Sequence, residues 1–443
     1  MATLHHKRPG ETGTAQNAAC MFDTIQTFIG RCRRPALLEY GEPIQPLIEG
    51  QFCLENRAGR LWIEVFCETR TVSRRILSID KHATGTLDCS IQRFANKPGA
   101  ISFLDLDRPQ TAHKTLTGTR RNFSEQFRRM LTRQFPGWDI TTLSCGLDLQ
   151  RSFSSVFPRA RLIRGNQQIA ALACPSVADE PVLLTFALIW FDYISSRAKT
   201  GTQTTFALFL PDQAGNLTAQ RTRWLRPTSQ PRLFRFNEHG SAGEVDPQDL
   251  GNLQTRVQKT ICDAEEQLGY ASPIESPSIA SFSERAFEMA VRRNIQLIDA
   301  TLLPSPVYSQ VLAFAAGDRD LIDLVALTPE GRVAVLELKV SEDIHLAIQA
   351  LDYWMRIKWH VDRNELQHLF PAVPLNVAAP KLLLVAPAIA FHSSCATVLR
   401  HFSSDIEIER VGINLEWQDG FRVILRLAGD SVPISHGGFE GGR

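Results

Sequence analysis

The 443-residue sequence predicts an α/β protein whose last third is a layered core with a mixed sheet. A second α/β segment and an N-terminal β-rich segment precede it. Three observations lead there. Residues 321–340 read as two apolar runs around Thr328-Pro-Glu-Gly, a hairpin apolar on both faces, as expected for a strand pair at the centre of an α/β layer. Strand-like and helix-like runs then alternate to Leu427, the pattern of a sheet extended by right-handed crossovers. Short β-like runs broken by turn residues fill 44–106.

At roughly 150 residues per domain, the length allows two or three domains. Lys and Arg number 48 against 47 Asp and Glu, a net charge of +1. That balance excludes a histone-like or polybasic-tail protein, but not a nucleic-acid partner, because phosphate binding needs only a local basic surface. The nine cysteines are odd in number and scattered, with no C-x2-C pair, which excludes a zinc ribbon or a disulfide scaffold. No apolar segment follows the basic start at 1–10. The most apolar runs, 181–193 and 380–391, fall short of the ~18 residues a spanning helix needs. A cytoplasmic protein with no membrane partner is expected.

Along the chain, residues 1–35 carry little pattern and are expected to form a variable tail. The β-rich segment covers 36–115, with runs such as Leu61-Trp-Ile-Glu-Val-Phe-Cys and turn residues at 56–59 and 96–99. Residues 116–225 read as α/β: a helix over 124–134 stopped by Pro136-Gly137, a hairpin around Gly165-Asn166, a helix over 182–196 and a strand over 205–210. The Pro-, Ser- and Gly-rich stretch 226–247 predicts a linker. Asp246 then caps a helix with apolar positions Leu250, Leu253, Val257, Ile261, Ala264 and Leu268, ended by Gly269. Residues 226–280 are thus linker plus helix, 281–430 the last domain and 431–443 a C-terminal tail.

The chemistry concentrates in the hairpin. Pro329 and Gly331 suit a three-residue loop with Gly331 left-handed. If Thr328 closes against Arg332, Leu327 faces Val333, Val325 faces Val335 and Asp323 faces Glu337, with Lys339 two residues on along the same face. Opposed buried carboxylates are destabilising unless something neutralises them. A divalent cation with a nearby Lys does so, and oxygen ligands favour Mg2+ or Mn2+ over zinc. The plain alternatives are two acids in water at a sheet edge, or a Lys339 that merely pairs with Glu337. After the hairpin a helix over 344–359, with Ser341-Glu-Asp at its start, carries Gln349, Tyr353 and Arg356 on one face. Before it, a helix opening at Ser283 carries Glu284 and Glu288 at i, i+4.

Acid, acid, E-x-K and Q-x-x-x-Y in this order across helix, hairpin and helix resemble the PD-(D/E)xK nuclease superfamily, in its RecB-like and NucS-like endonuclease branches. The likeness spans about 281–427, and Ile322 stands where the motif has Pro. It implies a restriction-endonuclease-like three-layer core in which Asp323, Glu337 and the carbonyl of Leu338 bind Mg2+, with Mn2+ as an alternative. Glu284 or Glu288 would complete the shell or hold a metal-bound water. Lys339 would orient or help deprotonate the attacking water. Gln349 would orient Lys339 or contact a phosphate, and Tyr353 would pack and position it. Asp318 and Asp320 read as loop acids, either still able to serve the metal, Asp352 as a solvated or N-terminal-facing helix residue, and His345, Trp359 and His360 as structural.

The middle segment resembles a degenerate copy of the last. Phe123-Ser-Glu matches Phe282-Ser-Glu and Asp192-Tyr193 matches Asp352-Tyr353, with 68 residues from Glu125 to Tyr193 against 69 from Glu284 to Tyr353. The hairpin within 161–174 has no acid and no E-x-K, and Ile189 replaces Gln349. Residues 120–164 hold nine Arg against three acids, an excess suited to phosphates. Arg128, Arg129 and Arg161, with Arg356, are the candidate nucleic-acid contacts, and such a domain can also mediate a homodimer. The expected function is metal-dependent hydrolysis of DNA phosphodiester bonds in repair, recombination or defence. The alternatives are a non-catalytic nucleic-acid-binding or regulatory protein on the same fold, and a purely structural α/β protein.

Overall fold

The structure is a computed structural model and describes residues 13–39, 42–57, 59–66, 71–83, 85–92, 98–105, 111–146, 148, 150–250, 255–258, 279–315 and 318–431. The chain divides into two compact units, residues 1–123 with 272–282, and residues 124–271 with 283–443.

In the first unit α1 (Gly13–Arg31) is followed by β1 (Pro35–Glu39), β2 (Glu42–Pro46), β3 (Phe52–Arg57), β4 (Arg60–Phe66), β5 (Thr71–Ala83), β6 (Thr86–Gln92) and β7 (Pro98–Asp105). The strands lie in the order β2-β1-β7-β6-β5-β4-β3. Strand alternation sets the inner face: Leu61, Ile63 and Val65 are fully buried at every second position of β4. The tail expected at 1–35 is corrected by α1. Ala18, Met21, Ile25 and Phe28 recur at helical spacing and bury against Leu61, Ile63, Leu87 and Phe103.

The second unit takes most of α2 (Thr111–Gln134), then β8 (Asp139–Ser144), β9 (Arg159–Arg164), β10 (Gln167–Ala173), α3 (Glu180–Ser196), β11 (Gln203–Pro211), α4 (Asn216–Thr222), β12 (Arg232–Phe236) and β13 (Ala242–Val245). These strands form a sheet in the order β13-β12-β11-β10-β9-β8. The hairpin, helix and strand expected between 159 and 211 all form. The linker expected over 226–247 does not: it supplies β12 and β13. Leu233 and Phe234 are fully buried there, and Phe234 stacks on Phe209 at 4.6 Å. Composition misled, because three apolar side chains in five residues suffice for a strand when a parallel neighbour supplies the hydrogen bonds.

The chain continues through β14 (Thr255–Gln258), α5 (Ile279–Arg293), α6 (Ile295–Ile298), β15 (Tyr308–Ala315), β16 (Asp318–Leu327), β17 (Val333–Leu338), α7 (Leu346–Asp362), β18 (Lys381–Pro387), α8 (Cys395–Leu399), β19 (Ile408–Ile413) and β20 (Val423–Ala428). The strands lie in that order across one sheet. Val257, expected in a helix, pairs with Ala313 at the edge of this sheet. Residues 247–250, after the Asp246 cap, form a turn and not the expected helix, and the rest of it, at 251–254 and 259–269, lies outside the described residues. Asp318 and Asp320 belong to the start of β16, not to a loop.

The two sheets of the second unit follow one plan. β8, β9 and β10 are antiparallel neighbours, β10, β11 and β12 run parallel, and β13 returns antiparallel. β15 to β20 repeat this sequence of directions strand for strand. A helix precedes each set (α2, α5). A long helix joins the first parallel pair (α3, α7) and a short one the second (α4, α8).

Candidate active site

The β16–β17 hairpin closes as its turn residues dictate. Thr328 N donates to Arg332 O at 2.9 Å and Gly331 N to Thr328 O at 2.9 Å. Gly331 has φ 78°, and a Cβ there would lie 1.9 Å from Pro374 O, so only glycine fits. The register pairs Leu327 with Val333 and Val325 with Val335. The hairpin lies mid-sheet, covered on both faces. Val325, Leu327, Val333 and Val335 join the core with Leu351, Trp354 and Ile357 of α7, while Leu324, Ala326, Ala334 and Leu336 join Phe287 and Val291 of α5. The result is helix, sheet, helix.

Extended one residue past its last pair, Leu324 with Leu336, this register carries Asp323 across from Glu337, on the α7 side. Asp323 Oδ2 accepts from Leu338 N at 2.8 Å. Glu337 is fully buried, and neither carboxylate oxygen receives a hydrogen bond from the described residues. Its ionic neighbour is Lys339, whose Nζ stands 3.5 Å from Glu337 Oε1 and 4.0 Å from Asp343 Oδ2. The alternative of two acids in bulk water is therefore not met, whereas the pairing of Lys339 with Glu337 is present.

Burial raises the Glu337 carboxyl well above the usual carboxylate range. The Asp323 charge adds to the rise and Lys339 opposes it. Burial likewise raises Asp323, against the pull of Lys339 and the Leu338 N–H. Burial alone would lower Lys339. The carboxylates of Glu337, Asp343, Asp323 and Glu284 outweigh it and hold the ammonium above its ordinary range. Glu284 is exposed as a residue, yet desolvation raises its carboxyl, with Lys339 opposing and Asp323 and Asp343 adding to the rise. The first turns of α5 thus bring Glu284 into the electrostatic neighbourhood of the hairpin acids. Glu288 lies one turn on, half-buried.

On α7, Gln349 Nε2 donates to the Tyr353 hydroxyl at 3.0 Å, and Tyr353 is 6% exposed. Gln349 Oε1 is buried with no donor among the described residues, leaving an acceptor open on the helix that covers the acids. The helix expected over 344–359 runs from Leu346 to Asp362, so Ser341-Glu-Asp lies ahead of it. Asp343 Oδ1 accepts from His345 N at 2.8 Å and Oδ2 turns to Lys339. Asp343 is the site residue that sequence reasoning missed, having counted it only as part of a helix start.

The expected nucleic-acid contacts separate. Arg128 and Arg129 are exposed on α2, with Arg128 3.5 Å from Glu125. Arg161 is half-buried on β9 and donates to Gln168 Oε1 at 3.0 Å. Arg356 is 5% exposed, with its guanidinium 5.9 Å from the Tyr353 ring centre, so it lies in the core and not on the surface expected for it. Asp352, expected to be solvated, is buried against Arg221. His345 Nδ1 meets Thr185 Oγ1 at 3.0 Å and His360 Nδ1 meets Glu365 at 2.6 Å, both structural contacts.

Among the described residues no group of three or more His, Cys, Asp or Glu side chains is arranged to hold a metal ion, so any cation here relies on two carboxylates. No helix among the described residues is long and apolar enough to cross a membrane. No family model and no curated protein matches the sequence.

Proposed function

We propose that the chain is a metal-dependent nuclease that hydrolyses phosphodiester bonds in DNA, with Asp323, Glu337 and Lys339 at its centre on a restriction-endonuclease-like core. One observation carries the reading. Glu337 is a fully buried carboxylate with no hydrogen-bond donor among the described residues, its ionic neighbour Lys339 3.5 Å away, and it stands across a hairpin from the half-buried Asp323. Such a pair is costly to fold and has little packing value. It fits a cation, and Mg2+ suits it, since that ion keeps several waters and takes one or two protein carboxylates.

Asp323, Glu337 and the carbonyl of Leu338 would hold Mg2+ or Mn2+. When bound, the ion lowers the pKa of water and offsets charge on the phosphoryl oxygens. Lys339 keeps its proton among four carboxylates. Its part is then to orient the attacking water and to stabilise phosphoryl charge, not to act as the base. Glu284, exposed and raised in pKa, would take up a proton or hold a water. Gln349, fixed by Tyr353, offers Oε1 to orient a donor.

The test is cleavage of labelled single-stranded, duplex and branched DNA with Mg2+, Mn2+ or EDTA, beside Asp323→Ala and Lys339→Ala. Each variant should lose about 100-fold or more in rate. Metal-dependent cutting that persists in both overturns the site. The exposed Arg128 and Arg129 support a second reading, a non-catalytic DNA-binding protein, which a gel shift without cleavage would favour.

A further inference from the structure

The repeated plan of the second unit allows the two hairpins to be compared position by position. Lys339 N donates to Val385 O at 3.0 Å, and in the other sheet Cys174 N donates to Phe209 O at 2.8 Å. Glu337 pairs with Leu384 three residues before Pro387, and Leu172 pairs with Leu208 three residues before Pro211. Leu172 is paired on its other side with Arg159, which stands where Asp323 stands beside Glu337. Asp323, Glu337 and Lys339 thus correspond to Arg159, Leu172 and Cys174.

Arg159 is 6% exposed. It donates to Ser154 O at 3.1 Å and Gly146 O at 2.6 Å, and its guanidinium lies 4.6 Å from the Phe153 ring centre. A fixed cation thus occupies the position of a metal-binding acid, and the residue opposite it is a leucine. This half has no means of holding a divalent ion in the same way.

The two halves also meet reciprocally. α3 packs on α8 and α4 on α7. Asp352 of α7 pairs with Arg221 of α4, and Asp192 of α3 pairs with Arg400, just past α8, at 2.9 Å. The segments after the two short helices form one antiparallel bridge, Leu225 with Phe402, closed by Arg226 N to His401 O at 2.9 Å and Ser403 N to Trp224 O at 2.7 Å. Like elements facing like is the mark of an isologous, two-fold contact, and two unrelated domains have no reason to produce it.

We infer that the α2–β13 half stands in for a second subunit: the chain is a fused pseudo-dimer, complete as a monomer, with one hydrolytic centre in two equivalent positions, and it therefore breaks one DNA strand per encounter. The single-cut part rests on the nuclease reading above. The experiment uses the full-length chain. Sedimentation equilibrium should give a monomer at working concentration, and Mn2+ titration followed by electron paramagnetic resonance should saturate at one ion per chain. Supercoiled plasmid with protein limiting should accumulate as nicked circle, with linear DNA appearing only through later, independent cuts, at a rate first order in protein.

Two Mn2+ per chain, an obligate dimer, or linear product appearing together with the first nicks overturns the inference and leaves the nuclease reading standing. Absence of both Mn2+ binding and cutting overturns the nuclease reading and the single-cut claim with it. Arg159→Leu, which removes the substituted cation without touching the Asp323 site, should leave the stoichiometry and the nicking pattern unchanged.

Discussion

Arg221 and Asp352 meet through two hydrogen bonds, Nε to Oδ1 at 2.8 Å and Nη2 to Oδ2 at 2.6 Å, with Arg221 only 1% exposed. The pair ties α4 to α7 across the join between the two α/β halves, on the helix that carries Gln349 and Tyr353. Removing either partner leaves the other as an uncompensated buried charge. Arg221→Ala or Asp352→Ala should each cost about 3–5 kcal/mol in chemical denaturation. The double substitution should cost less than the sum of the two, because no orphan charge remains.

The buried acids give stability a pH dependence. In the folded chain Glu337 and Asp323 hold their protons above the ordinary carboxylate values of 4.5 and 3.8. Their contribution is complete below those values and is lost as pH rises through the raised folded ones. Lys339 is also raised, so its share persists at neutral pH and is lost only in strong base. Glu337→Gln should flatten the acid-to-neutral decline and raise the melting temperature in EDTA near neutral pH, by roughly 2–4 °C for each kcal/mol recovered. Differential scanning calorimetry across pH checks this. A decline just as steep in the variant would count against it.

Gln349 and Tyr353 should act as one unit, since the amide donates to the phenol. Tyr353→Phe and Gln349→Ala are expected to lower kcat with little change in KM, and the double variant should be hardly slower than the worse single one. Additive losses would mean that the two residues act separately.

Arg128 and Arg129 point to solvent. If they meet phosphates, Arg128→Glu with Arg129→Glu should weaken DNA binding alike for all sequences. It should also lower the slope of log K against log salt by about 1 for each phosphate no longer neutralised, with the melting temperature unchanged. Fluorescence anisotropy at several salt concentrations reads both.

Gly331→Ala should destabilise by at least about 1 kcal/mol, since alanine is strained at φ 78° and its Cβ would meet Pro374 O. Urea unfolding checks it. A neutral outcome would show that the 371–376 segment shifts away freely.

The hairpin register was legible in the sequence because turn chemistry and the two-residue strand period are local. Thr328, Pro329 and Gly331 fix where the chain reverses, and counting outward puts Asp323 beside Glu337 on one face; only the fold shows that α7 covers it. The helices carrying Glu284 and Gln349 were legible for the same reason. The likeness in plan between the two sheets had a trace there too, in Phe-Ser-Glu and Asp-Tyr at matching intervals. Other features depended on partners distant in the chain. β12 and β13 look like a linker until β11 offers its edge, and four residues around Val257 become a strand only against β15. Asp352 reads as a surface acid until Arg221 arrives from 131 residues away.

The sequence by itself thus determined the local frame of the candidate site: the turn, the register and which acids share a face. Tertiary structure decided which charges are buried and what they meet. It strips Glu337 of water, sets Lys339 between Glu337 and Asp343, and places Arg159 at the position of Asp323 in the other half. Burial and ionic pairing depend on surfaces that the chain brings together only on folding, whereas dihedral preference and strand period act between neighbours.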